Sequence, residues 1–256
     1  MAETVNRVVA GLAAMLLSRS ARVGAATLGI AVLVCSGTIM AGGMTAGQGL
    51  SMDFRKESSA AGDKDVVLGT VHHVPPDLTM ISVDFPLVQK ILVDSSSMTI
   101  YYPEEGTAIR LPASGPFTLR FLQAFVGISD ADFDLAHLGF DLSRTEVRSD
   151  SLLTWWTPPA ALSSAIGGAF TVFCNDHLAE VSLNATNGEL LQRTCFGEYT
   201  MHEGRTYPLS IEMTTFVGEP KTEHFKFSNP MFNIDMPDSL VSLRLPPGIE
   251  IRNIVE

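Results

Sequence analysis

Residues 69–111 read GTVHHVPPDLTMISVDFPLVQKILVDSSSMTIYYPEEGTAIRL, and this stretch decides the fold. Apolar and polar residues alternate through it, with breaks at Pro75-Pro76, Pro86, the polar run 94–97 and Pro103. Alternation between such breaks is typical of short antiparallel strands that each bury one face. With a first strand at 51–55 and a turn at 58–64, the meander is predicted to contain strands over residues 66–74, 78–83, 89–94 and 98–102.

The second half of the chain continues the strand pattern without repeating the sequence. After an alternating stretch over 143–156, strands are predicted over residues 168–174, 178–183, 190–199, 206–216 and 223–232. Asn187-Gly188 predicts a two-residue hairpin between two of them. About ten strands with few helices indicate one mainly β domain over residues 48–256, an incomplete, highly curved antiparallel barrel.

Two segments between the strand-rich halves carry apolar residues at helical spacing. The first is FTLRFLQAFV over 117–126, and the second runs from 130 to 140. The second segment has acidic residues in its first turn and Gly139 at its end, as helices prefer. We expect one or two helices here that cover the sheet as a lid.

Residues 1–47 are predicted to be a signal peptide or an N-terminal membrane anchor. Arg19 and Arg22 precede an uncharged run over 23–49, which ends in a cluster of small residues. This order predicts export and removal near residues 43–47, although the run is also nearly long enough to stay as an anchor. Cys35 could be lipidated, but Val34 stands where a small residue is expected, and Cys35 could equally be an apolar filler. The predicted export segment implies a periplasmic or cell-envelope location for the protein.

The charge distribution excludes some partners. The chain has a net charge of −11, and residues 1–50 carry Glu3 against Arg7, Arg19 and Arg22, a net of +2, so the remainder carries −13. An acidic body lacks the clustered Lys and Arg that nucleic acids require. We expect no nucleic-acid partner and no docking on an anionic membrane surface.

No motif of a known catalytic, nucleotide or zinc site is present, so neither an enzyme nor a cofactor is predicted. His72 and His73 are adjacent on a predicted strand and should point to opposite faces, which prevents easy chelation of one metal. Cys174 and His177 lie near Asp176 in a turn, without a second cluster at metal-site spacing. Trp155-Trp156 could gate a cavity or belong to the core.

Cys174 and Cys195 follow the predicted signal segment. In an exported protein they could form a disulfide, or both could be small buried apolar residues. No sequence pattern predicts an activated thiolate at either position.

The order of short motifs resembles the LolA-type outer-membrane lipoprotein carriers and the wider lipoprotein-sorting superfamily, including its RseB-like members. The resemblance covers about 200 residues and rests on the following positions: the Gly69 strand, Pro75 with Leu78, Phe85-Pro86, Ile91-Leu92-Val93-Asp94, Tyr101-Tyr102-Pro103, Phe227-Ser228-Asn229 and Leu245-Pro246-Pro247-Gly248.

The resemblance implies an unclosed, strongly curved antiparallel sheet covered by helices, with an apolar cavity that holds acyl chains. In the best-known carriers an Arg precedes the family's proline and an aromatic residue follows a few positions later. Here Val74 and Leu78 occupy those positions. Since that Arg is linked to lid control and ligand hand-over, the departure leaves the fold intact and makes an envelope sensor a live alternative.

Alternation independently sends every second side chain to the concave face, and lid residues would cover the mouth. The predicted cavity residues are Ile81, Val83, Leu92, Met98, Ile100, Leu122, Phe125, Leu135, Leu138, Phe173, Val181, Leu191, Ile211 and Phe225. The sequence therefore predicts a carrier or chaperone for lipid or lipoprotein acyl chains. An inner- or outer-membrane protein could be its partner. The alternatives are an envelope sensor or protein-interaction module, and an enzyme acting on an envelope substrate.

Overall fold

The computed structural model of the chain describes residues 48–60, 62–74, 78–112, 133, 135–136, 138–175, 177–203 and 205–253. Within these ranges it contains 14 strands and one short helix. The first six strands are β1 Gln48–Ala60, β2 Asp63–Val74, β3 Leu78–Phe85, β4 Gln89–Val93, β5 Ser97–Tyr102 and β6 Thr107–Pro112. The others are β7 Asp141–Arg148, β8 Ser151–Thr157, β9 Gly168–Cys174, β10 His177–Asn184, β11 Leu190–His202, β12 Arg205–Thr215, β13 Lys221–Asp235 and β14 Glu250–Asn253, with helix α1 Asp238–Val241 before the last.

All 14 strands belong to one curved open sheet. Its order is β14-β6-β5-β4-β3-β2-β1-β13-β12-β11-β10-β9-β8-β7. Two meanders, β1–β6 and β7–β13, are joined by the antiparallel pairing of β1 with β13. Every pairing is antiparallel except that of β14 with β6. The predicted mainly β architecture is therefore confirmed, with more strands than the sequence indicated.

The strand order determines the path of the β6–β7 connection. β6 is the second strand from one edge of the sheet, and β7 forms the other edge. The connection over 113–140 therefore links opposite ends of the sheet.

One face of the sheet carries the hydrophobic core, and we call it the core face. Its main cluster joins buried side chains from both meanders: Leu50, Met52, Phe54, Val67, Val71, Ile81, Val83, Ile91, Val93, Met98, Leu178, Val181, Phe196, Ile211 and Phe227. A smaller cluster of Leu135, Phe140, Trp156 and Ala169 lies at the β8–β10 end of the same face. Because these side chains alternate with polar ones along the strands, apolar side chains collect on one face between β6 and β8.

The opposite, outer face is partly covered by the chain that follows β13. Met236 lies against Gly49, where a Cβ would be 2.6 Å from the Met236 Cε. Helix α1 contacts β2 and β3, and the chain then reaches β6 as β14. This crossing gives a physical reason for the burial of Met80 and Tyr101, which alternation assigns to the outer face.

Gly69 is required by close packing between strands. A Cβ there would lie 2.2 Å from the Ser82 carbonyl oxygen and 2.8 Å from the Phe54 ring. No larger residue fits without movement of the backbone, so Phe54 can lie directly over its neighbour on β2.

Several predicted boundaries were wrong. The turn predicted at 58–64 is largely strand, because β1 and β2 stay paired up to Ala60 and Asp63. The stretch 143–156 is a hairpin, β7 and β8. The turn at Asn187-Gly188 is longer than two residues: Ala185 accepts from the Gly188 N–H, and Gly188 adopts a φ of +85°. This is the longer hairpin loop, with glycine in the left-handed region.

Candidate ligand-binding face

The register of the strands aligns apolar side chains into rows across the core face. One row runs through Met52, Val71, Ile81, Ile91, Ile100 and Ile109, each paired with the next across adjacent strands. Cross-strand neighbours of this kind lie about 4.5–5.5 Å apart. The row therefore forms a continuous aliphatic surface across five strand pairings.

Most predicted cavity residues lie on this surface. Five of them are buried in the main cluster: Ile81, Val83, Met98, Val181 and Ile211. Three more are partly buried and packed against it: Ile100, Phe173 and Phe225. Alternation along the strands thus identified which side chains share the core face.

Two predicted cavity residues are placed elsewhere. Leu92 lies between Ile91 and Val93, which are both buried in the main cluster, and so it shares the outer face with Lys90. Leu191 is half-buried, belongs to neither cluster, and lies beside an irregularity in the pairing of β10 with β11. Because residues 91–93 are all apolar, the sequence does not show which of them face the core. Only the charged Lys90 beside them indicates it.

The predicted lid is described only in part. Leu122 and Phe125 lie outside the described residues, as does the predicted helix over 117–126. Leu135 is buried in the smaller cluster, and Leu138 packs against it. The described residues between 133 and 140 are turns, and a helical lid is not confirmed.

Gly139 ends a turn, where the sequence predicted the end of a helix. Its N–H bonds the Ala136 carbonyl, and the N–H of Phe140 bonds the Leu135 carbonyl. With Gly139 at a φ of +78°, this is a Schellman motif. Its usual hydrophobic contact is supplied by Leu135 and Phe140, which are both buried in the smaller cluster.

The core face also carries a charged pair that was not predicted from the sequence. Lys56 Nζ lies 2.6 Å from Glu223 Oε1, and both side chains are 6% exposed. Lys221 Nζ lies 2.9 Å from the same oxygen, and the Lys56 ammonium also lies 5.5 Å from the Phe225 ring centroid. Burial opposes ionisation of Glu223, but the two ammonium groups outweigh it and hold the pKa of the carboxyl below its ordinary value.

The two adjacent histidines point to opposite faces, as predicted. His73 lies on the core face, is 4% exposed, and shares a 2.9 Å hydrogen bond between its Nδ1 and Thr79 Oγ1. Burial lowers its pKa to about 4, so the ring is neutral at pH 7. His72 is half-buried on the outer face, and burial lowers its pKa as well.

The side chains of the two adjacent tryptophans likewise point to opposite faces of the sheet. Trp156 is buried in the smaller cluster, and its Nε1 donates to Thr171 Oγ1 at 3.3 Å. Trp155 packs on Phe170 and beneath the Arg144 guanidinium, 4.4 Å from the ring centroid. A cleft of about 320 Å³ opens beside both rings and is otherwise lined by Ser143, Thr157, Gly167, Gly168, Ala169, Asn184, Ala185, Thr186 and Gly188.

Neither alternative proposed for the cysteines holds. Cys174 and Cys195 are free thiols, and both are half-buried. They lie on β9 and β11 with β10 between them, a separation of about two strand spacings that exceeds the reach of a disulfide. Burial and the Glu180 carboxylate raise the pKa of the Cys195 thiol, which opposes activation.

Two features are absent from the described residues. No group of three or more His, Cys, Asp or Glu side chains among them could hold a metal ion. None of the described helices is long and apolar enough to span a membrane.

Solved structures of other proteins resemble the fold of this chain. No protein-family model and no curated protein sequence matches the chain. A solved LolA superfamily protein from Nitrosomonas europaea is 13% identical and covers 78% of this chain and 92% of its own, at a TM-score of 0.52. A putative outer membrane lipoprotein-sorting protein domain from Vibrio parahaemolyticus is 13% identical, with coverages of 75% and 88% and a TM-score of 0.51.

A DUF1329 family protein from Desulfovibrio piger is 12% identical, covers 77% of this chain and 90% of its own, and gives a TM-score of 0.54. The resemblance found in the sequence motifs is thus confirmed for the fold. At these identities the likeness concerns the fold alone.

Proposed function

We propose that this chain is an exported cell-envelope protein that binds the acyl chains of a lipid or lipoprotein on its core face. The observation that carries the proposal is the row of apolar side chains that continues across five strand pairings on the core face of a single open sheet. Each methylene removed from water on such a surface contributes about 0.8 kcal/mol. The LolA-like fold of the lipoprotein-sorting domain from Vibrio parahaemolyticus supports this assignment.

Shielding of the ligand from water, with release controlled by the 113–140 connection, is the mechanism that this arrangement suggests. Residues 1–47 would direct export as a signal peptide or retain the protein as an anchor. A non-enzymatic role fits the sorting role that is named for the Vibrio parahaemolyticus domain. A membrane protein would then deliver or receive the ligand.

Mass spectrometry of lipids extracted from the purified chain tests this function. We expect acyl lipids at close to one molecule per protein in material purified from the native host. Protein that carries no lipid and takes up none from mixed vesicles would contradict the carrier role.

A second candidate is a sensor or protein-interaction module of the same fold. The edge strand β7 favours it, because its side chains are almost all exposed, with Leu142 at 59% and Val147 at 73%. An exposed edge can accept a strand from another protein, while Arg144, Glu146 and Arg148 oppose pairing between copies. Binding of a peptide by protein that carries no lipid would favour this alternative.

A further inference from the structure

His73 introduces a polar nitrogen into an apolar row of the core face. The row runs across adjacent strands through Leu50, His73, Thr79, Val93, Met98 and Leu111. The imidazole is 4% exposed and bonds Thr79 through Nδ1 only. In the described part of the chain, the buried Nε2 has no hydrogen-bond partner.

An unpartnered buried nitrogen is unusual, because native proteins satisfy most of their buried polar atoms. Leaving such an atom without a partner costs stability that a leucine at the same position would not lose. When the Thr79 hydroxyl donates to Nδ1, the proton of the neutral ring lies on Nε2, which then becomes a free donor. In that tautomer, this row of the core face presents one N–H group beside aliphatic side chains.

We propose that Nε2 of His73 donates a hydrogen bond to the ester carbonyl of an acyl lipid bound on the core face. This inference rests on the proposed function and names the chemical group that the face recognises. An ester supplies an uncharged acceptor directly attached to an acyl chain, so both can enter an apolar site together. A charged headgroup would need a counter-charge, and the row of His73 supplies none: its other members are Leu50, Thr79, Val93, Met98 and Leu111.

Paired ester and ether lipids test the proposal, because an ether-linked chain lacks the carbonyl but has nearly the same shape. The probes are dioleoylglycerol and its dioleyl ether analogue, each displacing a fluorescent fatty acid from the purified full chain. We expect the wild type to prefer the ester by about three- to tenfold, the usual net effect of one hydrogen bond. His73→Leu should bind both probes with equal affinity.

His72→Leu is the matched control, since it removes a buried ring nitrogen that also has no hydrogen-bond partner among the described residues, Nδ1 of His72, from the outer face. It should retain the ester preference. Equal affinity of the wild type for both probes, or a preference that survives in His73→Leu, would overturn the inference while leaving acyl binding intact. If neither probe binds, the proposed function is refuted together with this inference.

A second measurement needs no substitution. In the ¹⁵N spectrum of the wild type, the His73 Nε2 resonance should shift when the ester probe is added and stay in place with the ether probe. The His72 resonances provide an internal reference and should respond to neither. An unchanged His73 signal at saturating ester would contradict the proposed hydrogen bond.

Discussion

The ring of Phe133 packs edge-on against the ring of Phe196, with 5.5 Å between their centroids. Phe196 belongs to the main core cluster, whereas Phe133 comes from the connection between β6 and β7. This contact fixes one point of the 113–140 connection on the core face. It makes Phe133 the natural position at which to test whether the connection controls ligand exchange.

Phe133→Ala should release a bound acyl probe several-fold faster than the wild type does. Loss of the aromatic pair removes about 0.5–1.5 kcal/mol beyond the lost burial, and it loosens the connection from the core face. Stopped-flow release of a fluorescent fatty acid into acceptor vesicles measures the rate. Leu138→Ala is the control, because Leu138 packs in the smaller cluster; equal acceleration in both variants would show that Phe133 has no special role.

Removing one partner of the buried Lys56–Glu223 pair should destabilise the protein strongly. Replacing both residues with apolar ones should cost little stability. Glu223→Gln leaves a buried ammonium without its carboxylate, so we expect a loss of about 3–5 kcal/mol in the free energy of unfolding. The double variant Lys56→Met/Glu223→Leu should regain most of that loss. Urea unfolding measures both, and Glu250→Gln, at the exposed pair with Arg252, should change nothing measurable. A double variant as unstable as the single one would contradict this account.

Acid should destabilise the protein through His73. Its pKa is about 6.5 when the chain is unfolded and about 4 when it is folded, so between these values the unfolded chain binds the extra proton. The His73 contribution is complete above pH 6.5 and is lost as the pH falls towards 4. Between pH 7 and pH 5 we expect the wild type to lose about 2 kcal/mol more than His73→Leu does. Parallel stability curves for the two proteins would exclude this titration.

Reducing agents should leave the stability unchanged. Cys174 and Cys195 are free and lie on strands separated by β10, so neither supplies a cross-link. The melting temperature of purified protein should be the same with and without dithiothreitol. A drop on reduction would mean that the two thiols pair, which the strand order forbids.

Much of the sheet could be predicted because its signals are local. Breaks at proline and polar runs separate β2, β3, β4 and β5, and the alternation Glu223-His224-Phe225-Lys226-Phe227 assigns Phe225 and Phe227 to the core face. β6 and β14 were missed as separate strands: β6 was overlooked although Pro103 and Gly106 mark its start, and the β14 pairing depends on a partner far away in sequence. Strand order likewise depends on pairing across the whole chain.

Less of the candidate site than of the sheet could be predicted, as Leu92, Lys56 and His73 show. Leu92 was assigned to the wrong face because three consecutive apolar side chains do not show an alternation between the two faces of the sheet. Lys56 reads as a solvent-facing charge in sequence, yet β1 places it on the core face, where Glu223 from β13 makes its burial possible. His73 could be assigned to one face or the other from alternation, but its unpartnered nitrogen is visible only in three dimensions.

The most direct test of the acyl-binding face is titration of a fluorescent fatty acid into the wild type and two matched variants. Ile100→Gln and Leu92→Gln each place an amide at a half-buried apolar position, on the core face and the outer face respectively. Circular dichroism verifies that both remain folded. We predict saturable binding to the wild type and to Leu92→Gln, with affinity reduced about tenfold or more in Ile100→Gln by burial of the amide. Absence of binding to the wild type, or equal losses in both variants, would contradict a ligand site on the core face.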